Sequence, residues 1–342
     1  MLHEDQFQYR PEDIPHEQYL AKNRSFIGSD YSKEPNLLAK PISEVNSNYF
    51  STPSIAASFG NGGLGNQICN LASLYAIYKE FRIPCYVSKY SYRMLSSAFS
   101  LNGYNDSESN EFINVSNVLN LNGLSWVHIT NLDLMQRRYE VISPYRYSWN
   151  LKIEPYVCDL KGALPYINIL RKTYLSFLPK VKKKATSILK RIRKKMSKNV
   201  MLVSIHVRLT DISYHLSKLF KITTPPREYF ERAMLYITQK SHKKVVFLAF
   251  SDDTKSAKEI LLRGKLKNKI IFPIFDYKES SANIILALLA NVEGSILTYS
   301  TFGLWGALLR ETISNVVLPK EIIETDIGIY VSDANITGVE FI

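Results

Sequence analysis

Four short segments gather residue types that handle a phosphate-rich ligand. In Gly62-Gly63-Leu64-Gly65-Asn66-Gln67, Gly63 and Gly65 permit unusual dihedrals and close backbone approach, and Asn66 begins a helical pattern with a polar side chain. In His206-Val207-Arg208-Leu209-Thr210-Asp211, His206 and Arg208 stand two apart, so on a strand they share a face. An arginine at a strand's carboxyl end presents a planar fork to phosphate oxygens, and Asp211 falls in the turn just beyond it. Ser251-Asp252-Asp253 ends a further apolar run, where two carboxylates suit a base, a ribose or a metal. Ser300-Thr301-Phe302 opens a helix, whose first amides and partial positive charge suit a phosphate. Taken singly, each segment also has a plain structural reading. Arg208 pairs with Asp211 at a surface turn, and Asp252 or Asp253 and Ser300-Thr301 cap helices.

The elements that would position these residues follow from periodicity. Ser54 to Phe59 reads as a short strand and Pro84 to Ser88 as the next, with Ile68, Leu71, Ala72, Tyr75 and Tyr78 at helical spacing between them. That strand-loop-helix-strand unit starts a parallel sheet. Residues 100–155 are rich in Asn and Ser, and only Trp126 to Thr130 reads as a strand. Residues 165–198 read as long helical material. Within it Val181, Ala185, Ile188, Leu189, Ile192 and Met196 make one apolar stripe on an otherwise basic helix. Val200 to Val207, Val245 to Phe250, Ile270 to Phe275 and Ser295 to Tyr299 are buried-strand patterns, with a helix after Pro225-Pro226 that buries Phe230, Ala233, Met234 and Ile237, and further helices near 255–264 and 281–292, between them. The alternation predicts an α/β fold with a doubly wound parallel sheet in the C-terminal part and ligands at the strands' carboxyl ends.

The expected organisation is a polar stem over 1–50, an N-terminal α/β domain over 51–165, a basic helical connection over 166–198 and a Rossmann-like C-terminal domain over 199–342. With 46% hydrophobic and 22% charged residues the chain is globular rather than disordered. The net charge of +12 invites an anionic partner. The basic helix carries no interleaved aromatics and the chain no nucleic-acid motif, so no nucleic-acid partner is expected. No run is long enough to span a bilayer and the first residues are not a signal peptide, so no membrane anchor is expected in this chain. Triplets for N-glycosylation begin at Asn23, Asn105, Asn114 and Asn335 and permit a secretory location. Cys69, Cys85 and Cys158 are expected as three buried thiols, with one pair plus a free thiol as the alternative. The segment at Asp252 is not a D-x-D pattern and no metal is expected. Ile68 stands where a dinucleotide fingerprint needs its third glycine, which argues against the NAD reading.

Together the four segments resemble the α-1,2-fucosyltransferases of glycosyltransferase family 11, over about residues 55–320. The glycine segment is similar to that family's G-x-L-G-N-Q opening, and His206 to Asp211 to its H-x-R-R-x-D motif. Ser251-Asp252-Asp253 and Ser300 to Trp305 match its two later blocks in order. Leu209 stands in place of the family's second arginine and Thr210 in place of the glycine after it. The resemblance implies two Rossmann-like domains facing a cleft, the GT-B arrangement, and a Golgi location. It implies metal-independent, inverting transfer of fucose from GDP-fucose to the 2-hydroxyl of a galactose-terminated glycan. It implies that Arg208 holds the diphosphate with help from Ser300, Thr301 and Phe302, and that His206 and Asp211 shape the donor site. By the same resemblance Ser251 and Asp252 or Asp253 meet the nucleotide, and Asn66, Gly63 and Gly65 face the donor from the other domain. A protein O-fucosyltransferase, or a non-catalytic paralogue that binds glycan or nucleotide, is the alternative.

Overall fold

The computed structural model describes residues 56–58, 62–101, 126–129, 150–153, 157–196, 199–273 and 282–342. The stem expected over 1–50 lies outside the described residues, as does most of 102–149. Four strands, β1 (Ala56–Ser58), β2 (Cys85–Val87), β3 (Trp126–Ile129) and β4 (Asn150–Ile153), form a sheet in the order β2-β1-β4-β3, parallel throughout. Between β1 and β2 runs α1 (Leu64–Phe81), which Arg82 ends in the left-handed conformation at φ 57°.

The helical spacing after the glycine segment predicts one apolar face on α1, but the helix is buried almost all round. Even Gln67, Asn70 and Ser73 are fully covered. Its core partners come from both parts of the chain: Leu151 and Ile153 of β4 on one side, and Leu304, Trp305 and Leu308 on the other. A helix without a solvated face is what a sequence rich in Leu, Ile, Ala and Tyr yields between two layers.

Ser88 caps α2 (Lys89–Ala98) by accepting from the Ser91 amide. The expectation of three thiols is overturned. Cys69 of α1 and Cys158 form a disulfide across 89 residues, because the chain leaving β4 returns beneath α1. Spacing in the sequence cannot show that return. Cys85 is the free, buried thiol among the three.

The expected long helical connection is broken. After α3 (Leu160–Ala163), which precedes it, and a 3-10 turn at Leu164–Tyr166, it holds α4 (Ile167–Lys172) and then α5 (Pro179–Lys194), which Pro179 opens. Between α4 and α5, Phe177 bridges back to Phe99. The α5 stripe behaves as its period requires: Val181, Ala185, Ile188 and Leu189 are buried and its lysines face water.

The second sheet is also wholly parallel, in the order β10-β9-β8-β5-β6-β7, with β5 (Val200–Val207), β6 (Lys244–Ser251), β7 (Ile270–Ile271), β8 (Gly294–Leu297), β9 (Val316–Leu318) and β10 (Val339–Phe341). Its helices are α6 (Thr210–His215), α7 (Arg227–Lys240), α8 (Thr254–Leu261), α9 (Ala282–Leu289), α10 (Thr301–Leu308) and α11 (Asp326–Asp333). They cover both faces. Met201, Val203, Ile205 and Val207 of β5 pack with α7 and α8, whereas Leu202 of β5 shares its cluster with α5 and α9. The expected α/β class and doubly wound sheet hold. From β5 the chain winds outward through β6 and β7, then returns to β5's other side and winds outward through β8, β9 and β10. The order therefore reverses between β5 and β8, and the crevice at such a reversal is where open α/β sheets receive ligands.

Candidate functional site

At the carboxyl end of β5, Arg208 is held from several sides. Its amide donates to Thr298 Oγ1 (3.0 Å), whose hydroxyl donates to the His206 carbonyl (3.2 Å), so Thr298 joins the ends of β5 and β8. Its Nη2 lies 2.7 Å from Asp211 Oδ1 and its Nε 3.2 Å from Asp252 Oδ2. The side chain remains 37% exposed, open to a ligand. Asp252 also receives the amides of Leu209 (2.9 Å) and Thr210 (3.2 Å) and the Thr210 hydroxyl (2.5 Å). Burial, the largest single influence on this carboxyl, works against its charge. The three hydrogen bonds and the Arg208 charge together outweigh burial and hold it below the ordinary value. Leu209 faces the other way, packing on the α7–α8 side of the sheet. Within β5, His206 and Val207 point to opposite faces, and Leu209, at the N-cap of α6, lies on the Val207 side.

His206 lies beneath Arg208, 6% exposed, its ring centroid 5.4 Å from that of Phe302. Burial, followed by the Arg208 charge, pushes its pKa down to about 4 against a smaller opposing pull from Asp252, so the ring is neutral. Its Nδ1 is buried and has no hydrogen-bond partner among the described residues.

Two helix amino termini meet beside these residues. Neither α1 nor α10 has a side-chain cap, and neither carries an acid in its first turn. Their first amides are therefore uncapped, and helix N-termini of this kind attract anions. The approach is close enough that a β-carbon on Gly65 would collide with the Phe302 backbone. Across the same contact the Thr301 hydroxyl donates to Asn66 Oδ1 at 2.7 Å. One turn further in, Trp305 Nε1 donates to Cys69 Sγ at 2.9 Å. The left-handed residue of the loop is Gly62, at φ 76°. Its carbonyl accepts from Gln67 Nε2 (3.1 Å) and Tyr90 Oη (2.9 Å), and Ser91 donates to Gln67 Oε1 (2.7 Å). A side chain at Gly63 would meet nothing within 4 Å, so that backbone lies open.

The residues singled out in the sequence thus fall into connected groups. Arg208, Asp211 and Asp252 form one network, His206 and Phe302 stack, and Asn66 and Thr301 join by a hydrogen bond. Asp253 stands apart. Its carboxylate caps α8, receiving Ser256 N (3.1 Å) and Ser256 Oγ (2.6 Å), and those two bonds hold it below its ordinary pKa. Ser251 Oγ donates to the Asp253 carbonyl (3.1 Å). Residues the sequence reasoning missed are Thr298, Thr210 as a ligand of Asp252, and the Gln67–Tyr90–Ser91 support of the glycine loop. A polar residue closing an apolar strand is the signal that could have found Thr298. A groove of about 440 Å³ lies elsewhere, between Ile167, Arg171, Glu311 and Ile336, lined by the Asn335 triplet and by none of the residues expected at the donor site. Among the described residues no cluster of three His, Cys, Asp or Glu side chains is placed to hold a metal ion.

A guanidinium at the sheet's reversal point, next to two uncapped helix N-termini, is an arrangement for receiving a polyanion. The sequence model of Glycosyl transferase family 11 matches residues 133–327. The chain is similar to galactoside alpha-(1,2)-fucosyltransferase 2 of Sus scrofa, with 24% identity over 265 residues, covering 75% of this chain and 72% of that protein. Against the Bos taurus protein of the same name the identity is 24% over 265 residues, covering 75% and 71%. Among solved structures, fucosyltransferase NodZ from Bradyrhizobium aligns with a TM-score of 0.47 and 13% identity, covering 76% of this chain and 94% of that one. POFUT1 in complex with GDP aligns with a TM-score of 0.47 and 11% identity, covering 78% and 98%.

Proposed function

The chain belongs to glycosyl transferase family 11, and from that premise we propose that it is a fucosyltransferase that moves L-fucose from GDP-fucose to the 2-hydroxyl of a terminal galactose on a glycan. The acceptor oxygen forms a bond to the anomeric carbon of fucose, the bond from that carbon to the β-phosphate breaks, and GDP departs with the electron pair. The configuration inverts and the hydroxyl proton is released. The transition state carries oxocarbenium character, so charge builds on the leaving diphosphate.

The observation that carries this reading is Arg208, fixed at the β5–β8 reversal by Thr298, Asp211 and Asp252 with part of its fork exposed. A preorganised cation aimed at developing negative charge is the largest single contribution such a site makes. In this reading the amides and hydroxyls of Ser300 and Thr301, with Phe302, complete the diphosphate site. Asn66, Gly63 and Gly65 close it from α1, and His206 and Ser251 shape its floor. Asp252, engaged by Arg208, Leu209 and Thr210, positions the arginine rather than meeting the nucleotide. The division at 51–165, 166–198 and 199–342, the cleft between the two units and placement in the Golgi belong to the same proposal. Among the described residues no helix is long and apolar enough to cross a membrane.

The test is incubation with GDP-fucose and a panel of β-galactosides, with the product linkage read by NMR. Fucose on O2 of galactose is expected. Fucose at another position would correct the linkage, and transfer only to a folded protein domain would overturn the glycan acceptor.

A further inference from the structure

Of the four Asn-x-Ser/Thr triplets, Asn335-Ile336-Thr337 lies among the described residues, and those of Asn23, Asn105 and Asn114 do not. It occupies the turn between α11 and β10. Asn335 and Thr337 are both exposed, and neither side chain has a hydrogen-bond partner among the described residues. Asn335 follows α11 in the left-handed region, at φ 44°, where asparagine commonly ends a helix. Helix termination explains the asparagine. It does not explain a threonine two residues on whose hydroxyl bonds to nothing. Both residues line the groove of about 440 Å³ beside α4. Ile167 and Ile313 give that groove apolar surface, and Arg171, Glu311 and Thr312 give it polar groups. A sugar ring, with an apolar face and a rim of hydroxyls, matches such a lining.

The Cys69–Cys158 disulfide is an independent observation that bears on the same triplet. Disulfides form and persist in oxidising compartments such as the lumen of the secretory route, where asparagine glycosylation also takes place. We propose that Asn335 carries an N-linked glycan whose first sugars lie along this groove. The donor is an oligosaccharide carried on a polyprenyl diphosphate. The Asn335 amide nitrogen bonds to the anomeric carbon of its first N-acetylglucosamine and the bond from that carbon to the diphosphate breaks. The diphosphate departs with the electron pair and one amide proton is released. The position leaves the donor crevice clear. Asn335 leads into the amino end of β10, whereas Arg208 follows the carboxyl end of β5, and β8 and β9 stand between those strands. The proposal does not rest on the transferase reading.

The full chain, produced in an animal cell line behind a cleavable secretion leader that supplies entry to the lumen, tests it. Peptide mapping after peptide-N-glycosidase in heavy-oxygen water should find Asn335 converted to labelled aspartate. Thr337→Ala should lose this glycan and Thr337→Ser should keep it. Both variants retain the asparagine that the left-handed turn favours, and the Thr337 hydroxyl bonds to nothing in the fold. The glycosylated parent should melt about 2 °C or more above Thr337→Ala. Trimming the glycan to its innermost N-acetylglucosamine should keep most of that difference. An unmodified Asn335 in the folded chain would overturn the assignment. Equal melting of the glycosylated parent and Thr337→Ala would overturn the seat in the groove.

Discussion

At Arg208 one cation sits between two carboxylates and a backbone anchor, and each partner has a distinct task. Asp211 makes an exposed ion pair, of small worth on its own. Asp252 collects two amides, a hydroxyl and the guanidinium, and Asp252→Ala strips the two amides of this acceptor and leaves the guanidinium and the Thr210 hydroxyl with Asp211. That change should cost about 1–3 kcal/mol of stability. It should also raise the donor KM by about tenfold or more, with Asp252→Asn recovering part of it. An unchanged KM in the alanine variant would remove Asp252 from the positioning role. His206 makes a pH prediction of definite sign. Its folded pKa of about 4 lies below the ordinary 6.5, so the unfolded chain takes up the proton first. The contribution is complete above pH 6.5 and lost as pH falls toward 4, about 3 kcal/mol in all. Thermal melting from about pH 7 to about pH 4.5 should therefore fall more steeply for the parent than for His206→Gln, and parallel curves would contradict it.

At the scale of elements, the site depends on how closely α1 and α10 approach. Gly65→Ala puts a methyl into the Phe302 backbone and should destabilise by about 1–3 kcal/mol, read by denaturant unfolding, because neither backbone can yield cheaply. An unaffected midpoint would mean the helices part freely. The second sheet was legible because β5 and β6 are almost continuously apolar, and Pro225-Pro226 marks the start of α7. β9, β10 and α11 were not read: β9 and β10 hold three residues each, and unlike the equally short β1 and β2 they have no glycine loop and long helical period between them to mark their places. The amphipathic reading of α1 failed because a partner on each side needs no polar face. Of the site, Arg208, His206 and Asp252 were visible from their place at strand ends. Thr298 and the Asn66–Thr301 contact depend on which strands become neighbours, and no local spacing encodes that.

Over the whole molecule one apolar core runs from Leu151 and Ile153, through α1, to Trp305 of α10 and Tyr330 of α11. Any separation of the two sheets would expose the side of α1 that packs on Leu304, Trp305 and Leu308. Calorimetry should therefore show a single unfolding transition for the described body, and two well-separated transitions would contradict a shared core. The same continuity seats the glycine segment against the first turn of α10, whose Phe302 stacks on His206. The measurement that tests the account most directly is acceptor-dependent release of GDP from GDP-fucose by the parent and by Arg208→Ala. Removal of one preorganised transition-state donor should lower kcat by roughly a hundredfold or more while the fold, checked by melting, is kept. Turnover in the variant close to that of the parent would mean that the charge leaving with GDP is stabilised elsewhere, and the site proposed at the β5–β8 reversal would be wrong.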